Sequence, residues 1–326
     1  MDKKPAQVRR ERAKPATTVK RATKKKAVAP AKKTVGKGTR AGDASRVTFS
    51  HPDKVWFPDA GVTKGDVIQY YLGVADKLLP HLRDRPITLE RMPDGVGEGK
   101  PRFWQKNTPD YYPSWVPRVE LKNEDGKVVR YALVNDVDTL AYLVNQGAIT
   151  FHPFLSRTAD LDRPDYVLFD LDPGGARFAD VVRIARTLHD RLDDAGEAKF
   201  VKTSGKSGLH VLMPWHRKGG YDAAREWAMT LATEVVQEMP DVATTERLKA
   251  EREGRVYVDV IQNARGHHAV PPYVLRPTPG ATVSTPLEWK EVTPKLDPKK
   301  FTIASVSKRF AGKPDLLLPL VPADAR

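Results

Sequence analysis

Two aspartates one residue apart, Asp170 and Asp172, end the apolar run Tyr166-Val167-Leu168-Phe169. Strand side chains alternate with period two, so both carboxylates share one face, about 7 Å apart along the backbone. Val167, Phe169 and Leu171 fill the other face. Neighbouring carboxylates in an apolar setting repel each other and lose solvation, and a divalent cation bound by oxygens is the direct way to neutralise them. A third acid, Asp259, interrupts the β-forming run Val256-Tyr257-Val258 and Val260-Ile261, where an unused charge is costly. Three strand-borne aspartates suit a two-metal phosphoryl-transfer centre. A lone Asp-x-Asp is also common at ordinary strand ends, and Asp259 is what favours the metal reading.

Between these strands lies Lys202-Thr203-Ser204-Gly205-Lys206-Ser207-Gly208-Leu209-His210. A phosphate-binding P-loop would need a glycine at position 200 and a following helix. Phe200 stands there, and a strand pattern follows. What remains is a Ser/Gly/Lys hairpin whose backbone amides and Lys206 could hold phosphates, or a solvated turn with an incidental His210. Glu90-Arg91-Met92-Pro93-Asp94-Gly95 resembles the nucleotide-attaching hexad of nucleic-acid ligases. Met92 occupies the place of its nucleophilic lysine, so ligase chemistry is excluded for this segment. Gly266-His267-His268 is given no metal, because adjacent strand side chains point apart.

The elements that must carry these residues follow from periodicity. Thr63 with Asp66 three residues on marks a helix start, and Val67, Tyr70, Tyr71, Val74, Leu78 and Leu79 form a helical stripe expected to end at Pro80. A second helix is predicted from Val137 to Gln146, with a strand over Ala148–Phe151. Strands at Tyr166–Leu171, Lys199–Thr203, Leu209–Met213 and Val256–Ile261 alternate with helices at Phe178–Leu192 and Tyr221–Met239. The layout is α/β (α+β). The short 204–208 link demands an antiparallel hairpin, so the sheet is mixed.

The 326 residues carry a formal charge of +14. Residues 1–46 hold 16 basic and 3 acidic residues, and the other 280 hold 39 and 38. Nearly all the excess therefore sits in one Ala/Lys/Pro/Thr-rich arm, which has too few large apolar side chains to fold and is expected to be disordered to about Ser45. Such an arm is either a solubilising tail or a sequence-independent attachment to nucleic-acid phosphates. The absence of cysteine excludes disulfides, thiolate zinc sites and cysteine nucleophiles. No apolar run reaches membrane-spanning length, and no apolar core follows the N-terminal charges as a secretory signal requires. The expected organisation is a basic arm, 1–46, and one catalytic domain, 47–326.

Asp170-Leu171-Asp172-Pro173, Ser204-Gly205-Lys206-Ser207-Gly208-Leu209-His210 and Val258-Asp259-Val260-Ile261-Gln262-Asn263, in that order and spacing, resemble the three catalytic motifs of the archaeo-eukaryotic primase superfamily. Within it the chain is most similar to the polymerase domain associated with bacterial ATP-dependent end-joining DNA ligases. The likeness runs from Val47 to about Leu320 and takes in Asp53-Lys54-Val55-Trp56-Phe57-Pro58, Phe103-Trp104-Gln105-Lys106-Asn107 and Leu275-Arg276-Pro277.

The resemblance implies a primase-polymerase core of mixed, largely antiparallel central sheets flanked by helices. It implies a nucleotidyltransferase that extends a primer 3′-hydroxyl at gaps or broken ends, with ribonucleotides preferred and two Mn²⁺ or Mg²⁺ ions. Asp170 and Asp172 would bridge both ions, and Asp259 would bind the one that activates the hydroxyl. Ser204, Lys206, His210 and Arg276 would hold the nucleoside triphosphate, with His152 near its sugar. Several relatives place the lysine one position later, where this chain has Ser207. Phe103 and Trp104 would stack on the template base, although two core aromatics in a strand is the plainer reading. Lys54 and Lys64 would hold the 5′-phosphate of a gap, and Arg252 would touch DNA. Implied partners are DNA, an ATP-dependent DNA ligase and a DNA-end-binding protein, in the cytoplasm at the bacterial nucleoid. A two-metal nuclease or phosphoesterase, or a non-catalytic bridge between DNA ends, are the alternatives.

Overall fold

The computed structural model describes Ala44, residues 46–123 and residues 125–326, all within the compact unit Arg40–Arg326. The expected basic arm, apart from Ala44 and Arg46, lies outside the described residues. The ordered chain opens on β1 (Val55–Phe57) and β2 (Val62–Thr63), then α1 (Lys64–Gly73) and α2 (Ala75–Leu82). β3 (Ile87–Arg91), β4 (Phe103–Gln105), β5 (Arg118–Lys122) and β6 (Val128–Ala132) precede α3 (Val137–Asn145) and β7 (Ala148–Pro153). Next come β8 (Tyr166–Asp172), α4 (Phe178–Asp194), β9 (Phe200–Thr203), β10 (Leu209–Pro214) and α5 (Tyr221–Glu238). β11 (Ala243–Thr244), β12 (Val256–Asp259), β13 (Pro286–Leu287) and α6 (Ile303–Phe310) complete it. Among the described residues no helix is long and apolar enough to cross a membrane.

Two main sheets result. One has the order β11-β12-β8-β10-β9-β13, antiparallel except for the β11/β12 pair. The other has the order β4-β3-β6-β5, with β7 also pairing along β3. The fold is thus the mixed, largely antiparallel α+β arrangement expected, and the hairpin between β9 and β10 is antiparallel.

Strand alternation divides each sheet into a core face and a polar face. Val167, Phe169 and Leu171 of β8, with Val201, Val211 and Val258, pack against Ile184 and Leu188 of α4 and Ala228 and Val235 of α5. In the second sheet Ile87, Leu89, Ile149 and Phe151 pack with Val67 and Tyr71 of α1 and Leu143 of α3. Each buried Val, Leu, Ile or Phe contributes about 1.5–3 kcal/mol of hydrophobic stabilisation. The remaining faces, which carry the polar residues, are left for the site.

The Thr63 capping box forms as expected: Thr63 Oγ1 accepts from the Asp66 amide at 3.1 Å. The helical stripe does not run unbroken to Pro80. It breaks at Val74, whose amide donates to Tyr70 and Leu72 carbonyls, and Pro80 lies inside α2. The break turns α2 so that Leu78 and Leu82 still reach the core, a tertiary gain that outweighs the local preference against an interior proline. β12 ends at Asp259, two residues short of the expected limit. Beyond it the Asn263 side chain replaces a strand partner. Its Oδ1 accepts from the Leu168 amide at 2.9 Å, and its Nδ2 donates to the carbonyls of Leu168 at 2.7 Å and Val260 at 2.8 Å.

Asn263 is fully buried, so Asn263→Ala would leave the Leu168 amide and carbonyl without partners. Urea unfolding is expected to show a loss of about 2–4 kcal/mol. A loss under about 0.5 kcal/mol would mean that water enters and replaces the amide.

Candidate active site

Register aligns the charged residues. Lys202 stands opposite His210, His210 opposite Asp170, and Asp170 opposite Asp259. Residues directly opposite share a face, so four strands present one row: cation, imidazole, carboxylate, carboxylate. Asp172 lies two residues along β8, opposite Tyr257.

Lys202 is completely buried, and burial, then the nearby Arg276 charge, hold its amine well below the usual lysine range. Its Nζ donates to Ser284 Oγ at 2.8 Å and lies 2.9 Å from His210 Nδ1. Nδ1 is the acceptor there when the neutral imidazole carries its proton on Nε2, the nitrogen that faces the acceptor-only Asp170 carboxylate. Nε2 faces Asp170 Oδ1 at 3.4 Å. Burial and Lys202 lower the His210 pKa. Burial alone would raise Asp170, but His210, Lys202 and Arg276 bring it below the usual carboxylate range. Asp259 goes the other way, raised by burial and then by the Asp170 charge, against the 2.8 Å bond from the Ile261 amide. The sequence placed His210 near the nucleotide; the structure adds that its imidazole is buried and tied to both neighbours.

The Ser/Gly/Lys hairpin closes over this row. Ser204 Oγ accepts from the amides of Lys206 at 3.2 Å and Gly208 at 3.1 Å, shaping the turn from within. Gly205 has a φ of +73°, and a Cβ there would strike the Arg276 side chain at 2.5 Å. At Gly208 a Cβ would collide with the Leu171 carbonyl. Both glycines therefore let the hairpin sit directly on β8 and Arg276. Lys206 is exposed at the lip, its pKa lowered by partial burial and then by Arg276. Arg276 is buried, and its Nε has no protein partner.

Asp170, Asp172, Asp259, Lys206, His210 and Arg276 line one cleft of about 410 Å³, with His152 on its other wall. Larger grooves of about 660 and 550 Å³ lie along α5 and between α4 and residues 292–294. The charged residues of the first, Asp222, Arg225, Glu226 and Glu234, lie along one helix, and the second holds the single acid Glu238. The smaller cleft brings acids and cations together from several strands, so the chemistry belongs to it. The donor set is all carboxylate oxygen, the chemistry of hard divalent ions. Asp170 and Asp259 stand opposite each other, a concentration of negative charge that such an ion would neutralise. Among the described residues no three acids or histidines yet close on a single point. Asp172 lines the cleft with both oxygens engaged, Oδ2 3.2 Å from Arg252 Nη1 and Oδ1 accepting from the Gly174 amide at 3.1 Å.

Arg252 also lines the cleft; it is buried, stacked 4.0 Å over the Tyr257 ring, and donates to the carbonyls of Glu246 and Arg247 as well as to Asp172. Phe103 and Trp104 are 50% and 52% exposed, against the reading of two core aromatics. The Trp104 ring centre lies 4.8 Å from that of His152, which brings it to the cleft. Lys54 and Lys64 stand together outside the cleft lining. Lys54 pairs with Asp94 at 2.5 Å. Lys64 is buried, donates to Ser50 Oγ at 3.0 Å, and has its pKa lowered to about 8 by burial and by Lys54.

Sequence reasoning missed Lys202 and Glu90. Lys202 carried a signal, a lysine inside a β-forming run two residues before the hairpin, whereas Glu90 was hidden in the ligase-like hexad. His268, given no metal role, also lines the cleft.

Asp259→Asn tests the electrostatics. Asp259 has a raised folded-state pKa, so its ionised form destabilises the fold at neutral pH, and this penalty is absent below the unfolded carboxylate pKa. In metal-free buffer the variant is expected to melt higher than wild type at pH 7 and equally at strongly acid pH. Mn²⁺ should raise the melting temperature of wild type more than that of the variant. Equal Mn²⁺ shifts in both would remove Asp259 from the ion site.

A family profile described as "LigD, primase-polymerase domain" matches residues 63–317. The multifunctional non-homologous end joining DNA repair protein LigD of Mycobacterium tuberculosis is 34% identical over 288 residues, covering 85% of this chain and 37% of that protein. The bifunctional non-homologous end joining protein LigD of Bacillus subtilis is 35% identical over 268 residues, covering 81% and 42%. The chain thus spans only about two fifths of the length of these relatives. A solved structure, the polymerase domain from Mycobacterium tuberculosis ligase D in complex with DNA, superposes with a TM-score of 0.79 at 33% identity, covering 84% of this chain and 98% of that one.

Proposed function

The chain belongs to the LigD primase-polymerase domain family, a family of nucleotidyltransferases, and from that premise we propose that it extends a primer 3′-hydroxyl on DNA from nucleoside triphosphates at gaps or broken ends, preferring ribonucleotides. The observation that supports this most is the pairing, in one cleft, of three aspartates with the Lys206/Arg276 cations and, at its edge, the exposed Trp104. Asp170, Asp172 and Asp259 would hold two divalent ions, Mn²⁺ or Mg²⁺, which when bound activate the primer hydroxyl and neutralise the triphosphate.

The chain's own residues prepare the rest. Arg276, with its unpartnered Nε, and Lys206 would receive the phosphate oxygens. Ser204 shapes the hairpin that presents Lys206. His210 keeps Asp170 ionised. His152 lines the wall where the sugar would rest, and Phe103 and Trp104 would stack on the template base, each stacked base adding about 1–3 kcal/mol. Lys54 and Lys64 would take the 5′-phosphate across a gap. Arg252 would brace Asp172 from outside the ion site, because a ligating carboxylate oxygen keeps a lone pair for a hydrogen bond.

The names of the relatives place end joining in view, and we infer a role beside an ATP-dependent DNA ligase and a DNA-end-binding protein at the bacterial nucleoid. The basic arm would add sequence-independent attachment to DNA. A nuclease would also use the aspartates, but it has no use for triphosphate cations opposite them.

Incubation of a gapped primer-template with labelled nucleoside triphosphates and Mn²⁺ or Mg²⁺ tests the reading. Extension, with ribonucleotides incorporated more efficiently than deoxyribonucleotides, is expected. Shortened primer would indicate a nuclease, and unchanged primer a non-catalytic end bridge.

A further inference from the structure

Glu90 is a completely buried carboxylate beside the cleft, and nothing in the two-metal chemistry requires it. It lies on β3, between β4 and β7, opposite Trp104 on one side and Thr150 on the other. His152 is opposite Thr88, one strand period away on the same face. Glu90, Trp104 and His152 therefore project together towards the site, while Leu89 and Phe151 face the core.

The contacts are divided between the two carboxylate oxygens. The Arg102 guanidinium closes on Oε1 as an ion pair without the alignment of a hydrogen bond. Oε2 lies 3.5 Å from His152 Nε2. Both partners then meet the same ring: the Arg102 guanidinium sits 5.7 Å from the Trp104 ring centre, and the His152 ring 4.8 Å from it. His268 backs the group, its ring 5.1 Å from His152 and near-parallel to Trp104 at 6.2 Å.

We propose that Glu90 is a positioning residue for nucleotide selection: its carboxylate clamps Arg102 and His152 against Trp104 and makes the sugar-facing imidazole and the template-facing indole one rigid unit. The claim rests on the polymerase reading of the cleft. A carboxylate accepts only, so the His152 nitrogen facing it carries the proton, and the neutral ring keeps Nδ1 as an acceptor. An acceptor held in place rewards a ribose 2′-hydroxyl and gains nothing from a deoxyribose. The Arg102 and Trp104 contacts brace the same carboxylate, so they bear on sugar choice through His152.

The test is single-nucleotide addition on a gapped duplex with Mn²⁺, measuring kcat/KM for ribo- and deoxyribonucleoside triphosphates. Glu90→Gln, isosteric but able to offer a donor, is expected to lower kcat/KM for the ribonucleotide about ten-fold and that for the deoxyribonucleotide less than two-fold. The double variant with His152→Ala should select no worse than His152→Ala alone, since the two act through one contact. Additive losses, or a Glu90→Gln enzyme with wild-type selection, would overturn the proposal while leaving polymerase activity standing. Arg102→Met, at a half-exposed side chain, gives the same reading if Glu90→Gln does not fold: a smaller shift in the same direction is expected, and unchanged selection would overturn the proposal. A wild-type protein that adds no nucleotide would instead overturn the polymerase reading on which it rests.

Discussion

Asp170 and Asp259 stand side by side across two antiparallel strands, and two carboxylates in that register cannot both remain ionised in a partly buried site without positive charge close by. The rest of the cleft answers this constraint. On one side Lys202 and His210 extend the row and stabilise Asp170 in its ionised form. Above, the hairpin and Arg276 bring cations that no protein acid fully satisfies. Asp259 has the Ile261 amide, Gln262 and the Tyr257 hydroxyl as partners, and burial, then the Asp170 charge, raise its pKa. On the proposed reading, divalent ions and a polyphosphate would complete the electrostatics.

On the second sheet's polar face the buried Glu90 meets His152, as the half-buried Asp170 meets His210 on the first. The two acids differ in surroundings. Glu90 lies between cations with its carboxyl brought down to about 2, against the pull of burial, by His152, Arg102 and Arg276. Asp170 keeps one side open to the cleft. One acid is thus a fixed structural anion, and the other is available for ligation.

Much of this was legible in the sequence because it follows from short-range rules. Period two put Asp170 and Asp172 on one face, the Thr63/Asp66 box began α1, and the five-residue link forced the β9/β10 hairpin. What was not legible depends on register between distant strands. No local pattern places Asp259 opposite Asp170, or Glu90 opposite Trp104, because each register joins strands separated by other chain and is not written in either strand alone. Arg252 shows the same limit: its sequence neighbours are charged and loop-like, and nothing local tells that it stacks on Tyr257 and reaches Asp172. Pro80 shows the converse case, in which a reliable local breaker is absorbed once Leu78 and Leu82 gain a core to enter.

The central claim is that this aspartate row is an ion and triphosphate site. The most direct measurement is a crystal structure of the protein with a non-hydrolysable nucleoside triphosphate and Mn²⁺, using the anomalous signal of manganese to locate the ions. The account expects two manganese peaks, with Asp170 and Asp172 contacting both and Asp259 contacting one, and the phosphates on Lys206 and Arg276. Manganese absent from the three aspartates, or a triphosphate bound away from Arg276, would contradict it.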